Sequence, residues 1–165
     1  MLIRQALPTD AAALTALLTQ LDRETEFMLF ETGERQTTVQ RQRERLETLQ
    51  TSDQETILVA AVGTDLAGFV AGTGGGARRN RHSLYIVIGV VQAFTGQGVG
   101  KELMQALETW AQPRDFHRLE LTVMAHNERA IRLYEACGFE REGVKRDSLL
   151  VNGDYVDELY MAKLS

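Results

Sequence analysis

The feature that most constrains this chain is Phe94-Thr95-Gly96-Gln97-Gly98-Val99-Gly100-Lys101. It joins the strongest strand signal in the sequence to a clear amphipathic helix. Ser83–Val91 reads Ser-Leu-Tyr-Ile-Val-Ile-Gly-Val-Val, and so nearly continuous an apolar run predicts a strand buried on both faces. After the loop, Val99, Leu103, Leu107 and Trp110 recur on one helical face, and Pro113 ends that helix. Glycines let the backbone turn sharply and come close to a ligand. A helix start leaves several N–H groups unpaired at the positive end of its dipole. Together these make a seat for a phosphate or pyrophosphate. The glycines alone serve a tight strand-to-helix turn equally well.

Two phosphate loops fail here. The P-loop needs G-x-x-x-x-G-K-[ST], but Thr95 stands at its first glycine and Glu102 follows Lys101. The dinucleotide pattern G-x-G-x-x-G begins with Gly96-Gln97-Gly98 but meets Lys101 at its last glycine. Started at Gly98, it meets Leu103 instead.

The surrounding pattern predicts a β-α-α-β-β-β-α-β-α-β-β order. Leu2–Ala6 reads as a first strand. Pro8-Thr9-Asp10 opens a helix with a cap from Thr9 or Asp10, and Leu14, Leu17, Leu18 and Leu21 make its apolar stripe. Residues 22–35 are irregular, mixing acids with Phe27, Met28, Leu29 and Phe30. Thr38–Gln50 reads as a surface helix of thin apolar content. Thr56–Val62 and Leu66–Gly72 form a hairpin about Gly63-Thr64-Asp65. Leu119–Val123 is a strand. Asn127–Ala136 is a helix stopped at Cys137-Gly138. Two last strands, about 141–150 and 155–163, flank Val151-Asn152-Gly153-Asp154, a hairpin-turn signal. Helices interrupting a mixed sheet give an α/β or α+β three-layer fold, and 165 residues suit one domain spanning 1–165.

The net charge of −5 weakens a nucleic-acid reading. Arg78, Arg79 and Arg81 read as a solvated loop, with contact to a phosphate as the alternative. One cysteine, Cys137, excludes an intramolecular disulfide. No leader pattern or membrane-length apolar run is seen. A soluble cytoplasmic protein is expected, with no nucleic-acid, membrane or metal partner.

The loop resembles the coenzyme A pyrophosphate loop of the GNAT superfamily, [RQ]-x-x-G-x-[GA], with Gly98 and Gly100 on its glycines. Thr95 stands where Arg or Gln is usual, a departure that removes one side-chain contact but leaves the backbone cradle. Downstream, Leu121 to Phe139 is similar to the family's second signature, a strand and then N-x-x-A-x-x-L-Y-x-x-x-G-F. Asn127, Ala130, Leu133, Tyr134, Gly138 and Phe139 match every fixed position. Glu142-Gly143 through Tyr155–Met161 also resembles the family's closing hairpin. The resemblance covers essentially the whole chain, with its motifs in order.

It implies a mixed, mostly antiparallel six- to seven-stranded sheet with helices on both faces. Two parallel central strands, here Leu84–Val91 and Leu119–Val123, would splay to admit the pantetheine arm along a free strand edge. Gly89 would mark a bulge. The activity implied is N-acetyltransfer from acetyl-CoA to a primary amine: a small metabolite, an amino acid, or a peptide or protein amine. A non-catalytic acyl-CoA sensor is the alternative. Cofactor contacts are expected from Gly96, Gln97, Gly98, Val99, Gly100, Lys101 and Asn127, and from a backbone N–H near Val90 or Val91 for the thioester oxygen. Tyr134 would protonate the departing thiolate; a plain core aromatic is its other reading. Asn127 also reads as a helix N-cap, and Lys101 as a solvated residue. Glu24, Glu26, Glu31, Glu120, His82 and His126 are candidates for the base, with none singled out, and Tyr85 for holding a water. Residues 24–30 would cover the acceptor side. The family resemblance is also compatible with a homodimer.

Overall fold

The computed structural model describes residues 1–165. Seven strands form one sheet in the order β1-β2-β3-β4-β5-β7-β6. They are β1 (Leu2–Gln5), β2 (Glu55–Val62), β3 (Asp65–Gly74), β4 (Ser83–Val90), β5 (Arg118–Met124), β6 (Glu140–Val151) and β7 (Asp154–Leu164). Every neighbouring pair is antiparallel except β4 and β5. The helices are α1 (Ala11–Glu24), α2 (Val39–Leu49), α3 (Val99–Ala111) and α4 (Glu128–Ala136).

Alternation along the strands sorts side chains between two cores. One core packs α3 and α4 on the sheet, joining Leu84 and Ile86 of β4, Leu119, Leu121 and Val123 of β5, Leu103 and Leu107 of α3, and Ile131 and Tyr134 of α4. The other packs α1 and α2 on β2 and β3, with Leu14, Leu17, Leu21, Leu46, Val59 and Phe69. Helix α2 is therefore more than a surface helix, because Leu46 and Leu49 are both buried. Its start is fixed by Thr38, whose hydroxyl accepts from the Arg41 N–H. The second face stays open over β5, β7 and β6.

That open face corrects the reading of β4 as buried on both sides. Tyr85 and Val87 are 41% and 42% exposed, since α1 and α2 end before covering them. Gly89 is not a bulge either. The β3–β4 register runs without a shift from Gly68↔Val90 to Gly74↔Leu84. A Cβ at Gly89 would lie 2.8 Å from Leu21 Cδ1 and 3.0 Å from Phe69 Cε1, so α1 packs too closely for a side chain there. The expected cap on α1 is absent as well: the Asp10 carboxylate turns back to accept from the Leu7 N–H and pairs with Arg4.

The turn signals behave as read. Gly138 takes φ +93° and α4 closes with Phe139 N–H donating to Tyr134 O. Asn152 and Gly153 adopt φ +51° and +87°, the pair of positive values that a two-residue hairpin turn requires.

Candidate active site

The loop after β4 gathers unpaired donors at one point. The amides of residues 96–101 donate to no backbone carbonyl, and the first bond of α3 is Glu102 N–H to Gly98 O at 3.0 Å. The glycines serve two different needs. Gly96 and Gly98 hold φ of +76° and +82°, with nothing within 4 Å of a built Cβ. They shape an exposed cradle that other residues adopt only with strain. Gly100 is a packing glycine: its Cβ would come within 2.8 Å of Leu133 Cδ2, so it lets α4 lie close to α3. The Thr95 hydroxyl turns inward to the Gln92 carbonyl at 2.8 Å. Lys101 is exposed and makes no ion pair.

The parallel ladder between β4 and β5 ends early. It comprises Ser83↔Arg118, Leu84↔Leu119 and Tyr85↔Glu120, and beyond it the strands part. Residues alternate in which edge they face. Val91 N–H donates to Ala67 O at 2.9 Å, toward β3. By alternation the N–H and C=O groups of Ile88 and Val90 face the gap. Of the two amides read as the thioester contact, Val91 is already paired and Val90 is available. Ile88 presents a second, unanticipated amide on the same edge.

Helix α4 flanks the gap on the covered face. Asn127 caps it, its Oδ1 accepting from Ala130 N–H at 3.3 Å. One face further along, Tyr134 is buried at 7% exposure with its ring 6.1 Å from that of Phe139. Its hydroxyl makes no hydrogen bond within the chain. Burial, with the neighbouring Tyr85 and Cys137, holds the phenol well above its ordinary range, so the group is a protonated donor.

On the open face a pocket of about 250 Å³ lies beside the gap, lined by Tyr85, Arg118, Glu120, Thr122 and Tyr160 among others. Tyr85 Oη and Thr122 Oγ1 are 3.0 Å apart, joining β4 to β5 just beyond the last paired residues. Arg118 donates through Nε to Glu120 at 2.6 Å, and through Nη1 and Nη2 to Glu142 at 3.0 and 2.5 Å. This arginine holds the Glu142 carboxyl below its usual range.

The segment after α1 is tied across the end of the gap. Glu24 accepts from the Gln92 N–H at 2.9 Å. Glu26 pairs with His126 Nε2 at 3.0 Å and accepts from Asn152 Nδ2 at 3.0 Å. The Phe27 and His126 rings lie 5.1 Å apart. Asp22, buried, anchors the same segment through Arg35. The candidate bases thus separate: Glu120 lines the pocket, while Glu24, Glu26 and His126 hold the segment above it. Glu31 is exposed. His82 lies with its ring tilted against that of His117, 6.3 Å away, at the opposite end of the sheet. Arg78, Arg79 and Arg81 stand there too, one strand length or roughly 23 Å from the loop amides, which removes them from a phosphate there. Thr122 went unread in the sequence because alternation of Leu119, Leu121 and Val123 marks the strand without marking its open face, and Ile88 because an apolar run does not show which amides a neighbouring strand leaves unpaired.

The sequence profile of the Acetyltransferase (GNAT) family matches residues 18–139. The chain is 33% identical to the L-amino acid N-acetyltransferase AaaT of Escherichia coli over 65% of its own length and 67% of that protein's. It superposes at a TM-score of 0.94 and 31% identity on a GNAT-family acetyltransferase from Streptococcus pneumoniae, covering 99% and 98% of the two chains. It shares the fold of yncA from Salmonella typhimurium, a structure containing acetyl-CoA, at a TM-score of 0.88 and 21% identity over 99% and 93% of the chains. With the loop, the parted strands and the second signature in one sheet, the chain belongs to the GNAT acetyltransferase family.

Proposed function

We propose that this protein transfers the acetyl group of acetyl-CoA to a primary amine by direct attack within a ternary complex. The observation that carries the reading is the continuity of two unpaired backbone surfaces. The six amides of residues 96–101 lead onto the free edge of β4 where its ladder with β5 has stopped. The first suits a pyrophosphate and the second suits a chain of amides lying along a strand. When bound, acetyl-CoA supplies an activated thioester.

The protein's residues then have separate tasks. Gly96, Gln97, Gly98, Val99, Gly100 and Lys101 hold the phosphates through their N–H groups, with the Lys101 ammonium beside them. Ile88 and Val90 present amides along the gap, where they stabilise developing negative charge on a carbonyl oxygen. Tyr134 Oη donates its proton to the departing sulfur. Asn127 holds the start of α4, and so the position of Tyr134, through its cap. Tyr85, Thr122 and Glu120 present oxygen acceptors to an incoming ammonium on the opposite face, and its proton passes to water on that open face so that the neutral nitrogen attacks.

The test is calorimetric titration with coenzyme A and acetyl-CoA, followed by an acetyl-CoA consumption assay over a panel of amines with an acceptor-free control. Saturable cofactor binding and amine-dependent release of free thiol are expected. No uptake at millimolar cofactor would remove the reading.

A further inference from the structure

The acceptor pocket has one cation along its lining, Arg118, and three of its five N–H donors are engaged by two carboxylates. The Nε edge meets Glu120 at 2.6 Å, and the Nη1–Nη2 edge meets both oxygens of Glu142 at 3.0 and 2.5 Å. Two carboxylates against one guanidinium leave the group with a net charge of about −1. A free amino acid brings its own carboxylate next to the amine. That carboxylate needs a charged partner when it leaves water, and here it would meet the carboxylates of Glu120 and Glu142 around a guanidinium already engaged. An ammonium suits the same surroundings: Glu120, the Tyr85 and Thr122 hydroxyls and the Tyr160 side chain offer acceptors or π-faces.

From this excess of carboxylate around Arg118 we infer that the acceptor is a primary ammonium whose α-carbon carries no carboxylate, and not a free amino acid. The inference rests on the acetyltransferase reading and deepens it. The same chemistry is presented by the N-terminal residue of a peptide chain and by an alkyl amine.

The protein saturated with coenzyme A is titrated calorimetrically with L-alanine, L-alaninamide and 1,4-diaminobutane, and turnover of each is measured with acetyl-CoA. L-Alaninamide should bind, and be acetylated, at least about tenfold better than L-alanine, the equivalent of about 1.4 kcal/mol. An alanine-led peptide amide that matches L-alaninamide assigns the chemistry to peptide N-termini, whereas preference for the diamine assigns it to alkyl amines. Glu142→Gln lies on the exposed edge strand β6, removes one of the two negative charges on Arg118 and leaves it a single acceptor there, so it should improve L-alanine and narrow the ratio. L-Alanine bound as tightly as its amide by the wild type would overturn the inference, as would a ratio unmoved by Glu142→Gln. If coenzyme A binds normally in those cases, the acetyltransferase reading stands. Loss of coenzyme A binding itself sinks both.

Discussion

Replacing Tyr134 by Phe separates a chemical role for the hydroxyl from a structural one. The ring stays in place, so no cavity term arises. The residue is 7% exposed, and its hydroxyl has no partner in the chain. The hydroxyl oxygen keeps some contact with solvent, so the substitution breaks no bond within the chain and leaves no buried donor unpaired. Stability should hold to within about 0.5 kcal/mol. For a chain of this length 1 kcal/mol moves Tm by about 2–4 °C, so the melt should stay within about 2 °C of wild type. A lost proton donor instead lowers kcat about 10²- to 10⁴-fold, which is about 2.7–5.5 kcal/mol of barrier. Coenzyme A affinity should stay near wild type. The wild-type phenol is held above its ordinary range by burial first, then by Tyr85 and Cys137. It therefore stays protonated while an amine deprotonates, and an alkaline rise in rate belongs to the acceptor. The assay is thiol release at saturating acetyl-CoA, with melts of both proteins. A Phe variant with kcat within about threefold of wild type and a melt lowered by several degrees would show the hydroxyl to be structural and not a proton donor.

Three further outcomes follow from the geometry. Gly98→Ala places a side chain at φ +82° with no atom in its way, so it should cost about 1–2 kcal/mol of strain and weaken coenzyme A in calorimetry. Gly100→Ala should retain coenzyme A binding and show in the melt instead, because its Cβ meets Leu133 and not the cradle; equal weakening by both would defeat the distinction. Asp22→Ala leaves Arg35 without its partner. Cutting such a buried pair costs about 3–5 kcal/mol, toward the lower end here because Arg35 keeps 20% of its side chain exposed. Limited proteolysis should then begin within residues 25–38. The Asp10 carboxyl is lowered by its bond from Arg4 and the Leu7 N–H, against burial. Its contribution to stability is full above the ordinary carboxylate range and fades as pH falls through the lowered folded value. Asp10→Asn should flatten that acid limb in melts recorded between neutral pH and pH 2; an unchanged limb counts against it.

Local chemistry was legible in the residues themselves. Leu14, Leu17 and Leu21 announce α1, Asn152-Gly153 announces the final hairpin, and Gly138 stops α4, since each reports a preference decided within a few positions of chain. The loop at 94–101 followed by the Asn127–Phe139 signature sufficed for the family. What hydrophobic periodicity reports is whether a position is buried, never against what. Hence β4 read as buried twice over, Gly89 read as a bulge, and Val91 stood level with Val90 until the ladder bond to Ala67 separated them. Glu26 meets His126 and Asn152 across 100 and 126 residues, and Arg118 meets Glu142 across 24. Such pairings come from strand order, in which β7 inserts beside β5 and carries β6 to the edge. The sequence alone thus determined the family and the glycine loop at the start of α3. The tertiary structure decided which amides stay unpaired and which charges are already spent, because hydrogen bonds and ion pairs are settled between chain segments and not within them.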